Sequence, residues 1–361
     1  MSEGLPPAKR RRVGNTRPVQ KRVVVDQSGA RILQLPDDVL MLILNNLSSQ
    51  ELIILADTCI RFKSLCLETK SLWLDPDFSG HPMELKKMKE CLNLFHTRTR
   101  SLTLEGMLRT KGQVMNLSEA YLGDISRVCP EIRTLRLQNF YVNAGKILFE
   151  HLPSSLTKLS LVGSEFHNLP QPYFKNIHTK LPHLEELDLT NCGWVTDYFL
   201  MAICKIESLR VLSLRGCHNV GACFAYCALA TRFGFNKIEK FDLRDTGIGD
   251  TELVCFGRKS SLKELLISGT KKDNVAMYPF SVSERGIENI TAGGSSNIER
   301  LTLAQFDLSD SLLMTLAVEM KRLTYLDVRG STNITTDGLK LFESRVESRP
   351  GASQFCEILH K

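Results

Sequence analysis

Cysteine and histidine are the residue types in this chain that could bind a metal ion or act as nucleophiles. There are eleven cysteines and eight histidines. Cys223 and Cys227 lie four residues apart in a predicted helix over 221–232, and Cys192 and Cys217 recur at one position of a repeated frame. A zinc site needs closely spaced ligands with two more converging on them, and no histidine pair has such spacing. We therefore expect small buried thiols, no metal site and no cofactor.

The other patterns that mark catalysis are also missing from the sequence. It contains no phosphate loop, no Gly-x-Gly-x-x-Gly and no Gly-x-Ser-x-Gly, so we expect a protein that is not an enzyme. A hydrophobic content of 43% with 24% charged residues is typical of a folded soluble domain. The longest apolar run, 220–230, is too short to cross a bilayer, and the first residues lack the apolar core of a secretory signal. These features predict an intracellular protein without a membrane partner.

Positive charge is concentrated at the start of the chain. The net charge is +6, and residues 1–30 carry seven basic and two acidic side chains, so the remainder is close to neutral. We expect residues 1–30 to be a disordered basic tail. Within it the run Lys9, Arg10, Arg11 and Arg12 is typical of a nuclear localisation signal, although a solvated tail has the same composition. We expect the protein in the nucleus, the cytoplasm or both, and the near-neutral remainder argues against a nucleic-acid-binding domain.

Residues 31–77 have the pattern of a short helical module. Pro36 stands at a first helical position and two acids follow it, while Ser48 and Glu51 have the spacing of a capping box. Three helices are predicted, beginning near Pro36, Glu51 and Ile60. Because the first helix is apolar over most of its circumference, we expect part of its surface to be covered by something outside the module.

Residues 98–349 repeat a Leu-x-x-Leu-x-Leu frame about nine times. Its final anchors are separated by 24 to 36 residues, an interval centred on that of leucine-rich repeats. Each repeat predicts one parallel strand and a returning helix, so the expected fold is an α/β solenoid with a curved parallel sheet inside. We expect residues 78–97 to be a helical linker and residues 350–361 to be a C-terminal tail or closing strand. The final anchor pairs are Leu102/Leu104, Leu135/Leu137, Leu159/Leu161, Leu187/Leu189, Leu212/Leu214, Phe241/Leu243, Leu265/Ile267, Leu301/Leu303 and Leu326/Val328.

Residues 31–77 contain an ordered series of mostly apolar residues, namely Leu35, Pro36, Leu40, Ile43, Leu47, Leu52, Ala56, Cys59, Phe62, Leu65, Leu72 and Trp73. In order and spacing this series resembles that of an F-box. That resemblance implies a three-helix module that docks on Skp1 and so joins a cullin-RING ubiquitin ligase. The alternative is an ordinary helical cap on the repeats. The Skp1-binding residues that the resemblance implies are Leu35, Pro36, Leu40, Ile43, Leu47, Leu52, Phe62, Leu72 and Trp73.

Several repeats continue with a cysteine after the strand, as in Asn191-Cys192 and Gly216-Cys217. This is similar to the cysteine-containing repeats of the F-box/leucine-rich-repeat family. The resemblance implies a substrate-recognition subunit of a Skp1–cullin–F-box ubiquitin ligase, in which the repeats bind a protein substrate. A nuclear repeat scaffold or inhibitor protein outside any ligase remains the alternative.

Candidate substrate-binding residues follow from the concave face of the predicted sheet. Side chains between and after the final anchors should face outward there, where arginines could grip acidic or phosphorylated segments. The alternative is that these charges neutralise one another: the pairs Asp242/Arg244 and Asp327/Arg329 and the neighbours Asp188/Arg215 are placed for it. Trp194 and two insertions, at 105–117 and 271–283, are also expected to contact a partner. The candidates are Arg136, Asp188, Trp194, Arg215, Arg244, Tyr278, Phe280 and Arg329.

Overall fold

A computed structural model describes most of the chain. The described residues are 31–107, 117–145, 149–170, 173–221, 223–230, 234–269, 282–291, 297–349 and 355–360. Lys9, Arg10, Arg11, Arg12, Tyr278 and Phe280 lie outside these ranges. The described residues fall into two units, one ending at Ile43 and one beginning at Leu44.

The first unit contains a short 3-10 turn, Arg31–Gln34, and most of helix α1 (Asp37–Leu44). Proline lacks an N–H but keeps its carbonyl, and the Pro36 carbonyl accepts from the backbone N–H groups of Val39 and Leu40 at 3.1 and 3.0 Å. Two acids occupy the first turn of α1, where the helix dipole favours negative charge. The predicted helix start at Pro36 is confirmed.

The second unit begins with helices α2 (Ser49–Ala56) and α3 (Ile60–Glu68). The Ser48 hydroxyl accepts from the Glu51 N–H at 3.3 Å, and the Glu51 carboxylate accepts from the Ser48 N–H at 2.8 Å. This reciprocal pair is the predicted capping box, and it satisfies two backbone donors at the start of α2.

Trp73 joins α3 to the region that follows. It ends a 3-10 turn, and its indole N–H donates to the Cys66 carbonyl at 2.8 Å while its own carbonyl accepts from the Thr99 hydroxyl at 2.8 Å. Helix α4 (Leu85–Cys91) lies in the segment that was expected to be a helical linker. Before α4, Asp77 forms a parallel bridge to Thr103, so the segment that contains Asp77 lies along the first edge of the main sheet.

The main sheet has ten strands, and all of its pairings are parallel. The first nine follow the predicted frame, and their anchor side chains are buried at 4% exposure or less, which confirms the α/β solenoid. The tenth pairs with the ninth, so the C-terminal segment adds a closing strand. In spatial order the strands are β1 (Ser101–Glu105), β2 (Thr134–Gln138), β4 (Lys158–Ser160), β6 (Glu186–Asp188), β7 (Val211–Ser213), β8 (Lys240–Asp242), β9 (Glu264–Ser268), β10 (Arg300–Ala304), β11 (Tyr325–Asp327) and β12 (Glu357–Leu359).

A second, two-stranded sheet, which the frame did not predict, joins β3 (Tyr141–Asn143) to β5 (Glu165–His167). The returning segments contain seven helices within the described residues. They are α5 (Glu119–Val128), α6 (Ile177–Lys180), α7 (Asp197–Ile203), α8 (Asp250–Gly257), α9 (Glu284–Thr291), α10 (Asp310–Glu319) and α11 (Thr336–Glu347). Two shorter turns, Phe149–His151 and the π-helical Ala225–Leu229, complete the set, and the latter replaces the longer helix expected over 221–232.

The turn after each strand has a common backbone conformation. The second residue past the final anchor has positive φ in seven repeats, between 56° and 84°. This left-handed conformation favours glycine, and asparagine and aspartate tolerate it better than most residues do. The seven residues are Asn139, Gly163, Asn191, Gly216, Asp245, Gln305 and Gly330.

Acidic side chains link successive outer helices. The Asp197 carboxylate at the start of α7 accepts from the N–H groups of Gly221 and Cys223 in the next repeat, at 3.0 and 2.9 Å. Asp250 accepts in the same way from the N–H and hydroxyl of the following Ser283, at 2.8 and 2.6 Å. Similar contacts join Glu284 to Ser309 and Asp310 to Thr335. In these four places one repeat satisfies backbone donors of the next, which helps to hold the stack in register.

Candidate functional site

Four residues that the F-box resemblance assigns to Skp1 are part of the core of the chain. Leu40, Leu52, Phe62 and Trp73 are all exposed by 5% or less. Side chains so deeply buried stabilise the fold and offer no surface to a partner. The expectation that these four contact Skp1 directly is therefore corrected to a supporting role.

The other implied residues are accessible, and further apolar side chains join them. Ile43 is 40% exposed and Pro36 is exposed, while Leu35, Leu47 and Leu72 are half-buried. Four more large apolar residues are exposed that were not among the Skp1-binding residues implied by the resemblance. Two of them lie on α1, where the apolar residues around most of the helix already indicated an uncovered surface. These are Val39 and Leu42 on α1, at 39% and 69%, and Ile54 and Ile60 on α2 and α3, at 58% and 85%.

A cleft of about 460 Å³ opens in the second unit beside α2 and the turn that ends at Trp73. Leu47, Leu52 and Leu72 contribute apolar lining, and Ser48, Asp75 and His81 contribute polar lining. Its volume is that of a site which accommodates a few partner side chains. Leu47 and Leu72, two of the implied Skp1-binding residues that are accessible, therefore border one concave surface, and the buried Leu52 lies in its wall.

On the concave face of the sheet, two of the candidate arginines are held by aspartates of their own strands. Arg244 donates to Asp242 through Nε at 2.9 Å and Nη2 at 2.5 Å. Arg329 forms the same fork on Asp327, at 2.9 and 2.7 Å. Burial alone would raise the pKa of the Asp327 carboxyl, but hydrogen bonds from the Arg329 side chain and backbone, together with its charge, lower that pKa below its usual value. At these two strands the charges neutralise each other, as the alternative interpretation held.

The predicted neighbours Asp188 and Arg215 do not pair. Asp188 Oδ1 instead accepts from the N–H and hydroxyl of Thr190, at 3.0 and 2.6 Å, which closes the turn after its own strand. Arg215 lies 3.5 Å from the Asp245 carboxylate of the next repeat. Asp188 is therefore a turn-forming residue, and the expectation of an Asp188–Arg215 pair was wrong.

The first row of concave side chains is also neutralised across the strands. Lys158 pairs with Glu186 at 2.7 Å, and Lys240 pairs with Glu264 at 3.0 Å. Arg300 stands 3.9 Å from Glu264 and stacks its guanidinium 3.9 Å above the ring of Tyr325. Arg136 differs, because it is exposed and forms no ion pair within the described part of the chain.

Trp194 is covered by other aromatic rings of the chain. Its ring centroid lies 4.4 Å from that of Phe166 and 5.3 Å from those of both Phe174 and Phe199. Its indole N–H donates to the Ser164 carbonyl at 2.9 Å. The side chain is half-buried, so the premise that it needs a partner to cover it is corrected.

Cys192 and Cys217 are packing residues, as the sequence indicated. Their thiols donate to the carbonyls of Leu161 and Leu189 in the preceding repeats, each at 3.1 Å. Burial raises the pKa of the Cys217 thiol to about 12 and that of Cys192 further, so neither is a reactive thiolate. Cys223 departs from the prediction because it is exposed, and Cys227 is partly exposed.

Two features are absent from the described ranges. No three His, Cys, Asp or Glu side chains in those ranges are grouped as metal ligands. No helix among the described residues has both the length and the hydropathy to cross a membrane.

Comparisons with known proteins match both parts of the fold. Residues 32–79 match the F-box-like family, and residues 180–204 match the Leucine Rich repeat family. Human F-box/LRR-repeat protein 12 is 29% identical over 192 residues, which is 53% of this chain and 58% of that protein. The bovine and mouse proteins of the same name are 28% identical over the same lengths. The alignments thus span less than two thirds of the length of these curated relatives.

The positions of the two family matches agree with the structure. The first covers α1, α2 and α3 in full, and the second covers one strand and its returning helix, β6 and α7. The same unit recurs along the parallel sheet on both sides of that repeat. The chain therefore combines an F-box-like segment with leucine-rich repeats, the two parts for which F-box/LRR-repeat proteins are named.

Proposed function

We propose that this protein is the substrate-recognition subunit of a Skp1–cullin–F-box ubiquitin ligase. Its F-box-like segment binds Skp1, and its repeats bind a protein substrate. The chain contributes no catalytic group of its own. It acts by holding a substrate near a ubiquitin-charged enzyme, which raises the local concentration of the reacting groups.

The observation that carries this proposal is the apolar surface of the matched segment. Val39, Leu42 and Ile43 are exposed within a single eight-residue helix, α1. Exposing large apolar side chains next to one another is unfavourable in a monomer, and such surfaces are typical of docking sites. An ordinary helical cap would not need them.

Co-purification with Skp1 tests the proposal. The full chain and Skp1 are co-expressed, and the complex is compared between the wild type and Ile43→Glu. A carboxylate at an exposed position is tolerated by the free protein but is buried without a partner in the complex, so capture should fall at least about tenfold.

Val318→Glu is the matched control, because Val318 on α10 is also 40% exposed and apolar but belongs to the repeats. It should capture Skp1 as the wild type does. If the folded wild type captures no Skp1, the ligase proposal fails and the alternative of a repeat scaffold or inhibitor protein is favoured.

We also propose that the basic run from Lys9 to Arg12 directs the protein to the nucleus, in addition to a cytoplasmic pool. Its composition supports this, since four consecutive cations are a typical import signal. The nuclear fraction of a fluorescent fusion should fall when the four residues are replaced by alanine. An unchanged nuclear fraction would reject the signal.

A further inference from the structure

The first strands of the sheet differ in charge from the rest of its concave face. Farther along, the arginines and lysines are paired with acids, as at Arg244, Arg329 and Lys240. At β1 and β2, Arg100, Arg133 and Arg136 are exposed and form no ion pair within the described residues. We refer to these three residues as the arginine patch.

The register of the strands places hydroxyl groups on both sides of Arg136. Thr103 on β1 and Ser160 on β4 are its direct partners across the two strand pairs. Side chains at such positions stand about 5 Å apart on one face of a sheet. Neither hydroxyl has a hydrogen-bond partner in the part of the chain that the structure describes. Thr103 and Ser160 are 3% and 7% exposed, so the exposed guanidinium of Arg136 is the donor that this row presents to solvent.

Arg100 and Arg133 lie beside each other at the rim of the same strands. The N–H groups of Arg133 and Thr134 both donate to the Arg100 carbonyl, at 2.8 and 3.0 Å, so the two backbones are adjacent. Together with Arg136 they place three guanidinium groups on two neighbouring strands. Three exposed positive charges in one part of the sheet favour the approach of an anion.

Three carboxylates on or beside the strands of the arginine patch accept hydrogen bonds from other groups. Glu105 accepts from the N–H of Gly80 at 2.5 Å and from the Asn139 amide at 3.0 Å. Asp77 and Asp188 lie on the Arg136 row, each beyond one of the hydroxyls and about 10 Å away by strand spacing. Asp77 accepts from the Ser79 N–H at 2.8 Å, and Asp188 is held by Thr190. None of these carboxylates forms an ion pair with Arg100, Arg133 or Arg136 among the described residues.

We propose that the arginine patch binds a phosphorylated segment of a partner protein. A phosphate carries up to two negative charges and three acceptor oxygens, so it can accept a two-pronged hydrogen bond from the exposed Arg136. Arg100 and Arg133 add charge at the rim. This inference rests on the proposed function, because it makes the patch the part of the repeats that recognises a substrate.

The test uses the full chain and a pool of fluorescent peptides about eleven residues long, with a central phosphoserine and randomised flanks. Parallel pools carry serine or glutamate at the centre. The wild type should bind the phosphoserine pool at least about tenfold more tightly than either other pool. Arg133→Gln/Arg136→Gln should remove that difference.

The control variant Lys321→Gln/Arg322→Gln loses the same charge at two exposed residues outside the patch. It should bind like the wild type. The proposal is overturned if the glutamate pool binds as tightly as the phosphoserine pool, or if the phosphoserine pool does not bind. It is also overturned if the patch variant binds the phosphoserine pool as tightly as the wild type does. Tighter binding of a single-stranded oligonucleotide of equal charge would overturn it as well.

Skp1 capture is measured on the same preparations. Loss of Skp1 capture with phosphopeptide binding intact would reject the ligase role while leaving the arginine patch as a phosphate-binding surface. Skp1 capture without phosphopeptide binding would reject the patch and leave the ligase role. The two proposals can therefore fail separately.

Discussion

At the scale of single residues, the repeats are held together by buried or shared polar contacts as well as by leucines. Asp197 is only 8% exposed, and its carboxylate accepts two backbone N–H groups of the following repeat. Hydrogen bonds to a charged acceptor are stronger than neutral ones, and a buried donor left without a partner is costly. Such contacts explain how repeats with different helices, or with only a short turn, still stack in one register.

Replacing Asp197 with alanine should lower the free energy of unfolding by about 2–4 kcal/mol, because the buried N–H of Gly221 and the partly buried N–H of Cys223 lose their acceptor. Urea unfolding followed by circular dichroism measures the change. Asp337→Ala is the control, since that side chain is 93% exposed and lies 3.8 Å from Lys340. It should shift stability by no more than about 0.5 kcal/mol, and equal losses for the two variants would contradict the explanation.

Stability should also depend on the Asp327–Arg329 fork at low pH. The fork lowers the pKa of Asp327 in the folded state. The stability that the fork contributes is therefore complete above the pKa of about 4 that an aspartate has in the unfolded chain. It is lost as the pH falls through the lower pKa of the folded state. Between about pH 5 and about pH 2, Asp327→Asn should therefore lose less stability than the wild type. Urea midpoints across this range provide the measurement, and parallel curves would contradict it.

At the scale of elements, seven of the strands are followed by a tight turn that contains a left-handed residue. At Gly216 φ is 71°, and an added Cβ would come within 2.2 Å of the Asn191 side-chain oxygen in the preceding repeat. Asn191 has positive φ at the equivalent position. The alternation of asparagine and glycine thus allows close stacking of one turn on the next.

Gly216→Ala should destabilise the protein by about 1–2 kcal/mol through backbone strain, and by more if the Asn191 contact cannot relax. Gly193→Ala, in the preceding repeat, is the matched control because no atom lies within 4 Å of its added Cβ. Its melting temperature should stay within about 2 °C of the wild type. A similar loss at both glycines would show that the strain argument is wrong.

The sequence predicts the elements better than it predicts the site. Spacing of the anchors located nine strands and the capping box at Ser48, because buried leucines and helix caps depend on nearby residues. It could not decide whether Arg136 or Arg244 is available to a partner, because that depends on which carboxylates the fold brings within reach. Trp194 shows the same limit, since its covering rings come from Phe166, Phe174 and Phe199.

At the scale of the whole molecule, the second unit is a one-dimensional stack in which each repeat contacts its neighbours. The segment containing Asp77 pairs with one edge of the sheet, and β12 pairs with β11 at the other. In such an array, stability is a sum of contributions from single repeats and from the interfaces between neighbours. A substitution that weakens one end should therefore promote local unfolding mainly in the repeats near that end.

Glu357→Pro should release β12, because the Glu357 N–H that donates to the Thr324 carbonyl at 2.9 Å is removed. Amide hydrogen exchange should then accelerate in β11 and remain slow in β6 and β7. Glu343→Ala, at an exposed position on α11, should leave exchange in β11 unchanged. Faster exchange throughout the sheet would contradict a description by local interfaces.

The central claim is that this chain docks on Skp1 through its F-box-like segment. The most direct measurement is the mass of the complex by size-exclusion chromatography with light scattering, using the purified full chain and purified Skp1. We predict a single species with the mass of one chain plus one Skp1, which Ile43→Glu separates into its components and Val318→Glu does not. Two independent peaks from folded wild-type proteins would contradict the account.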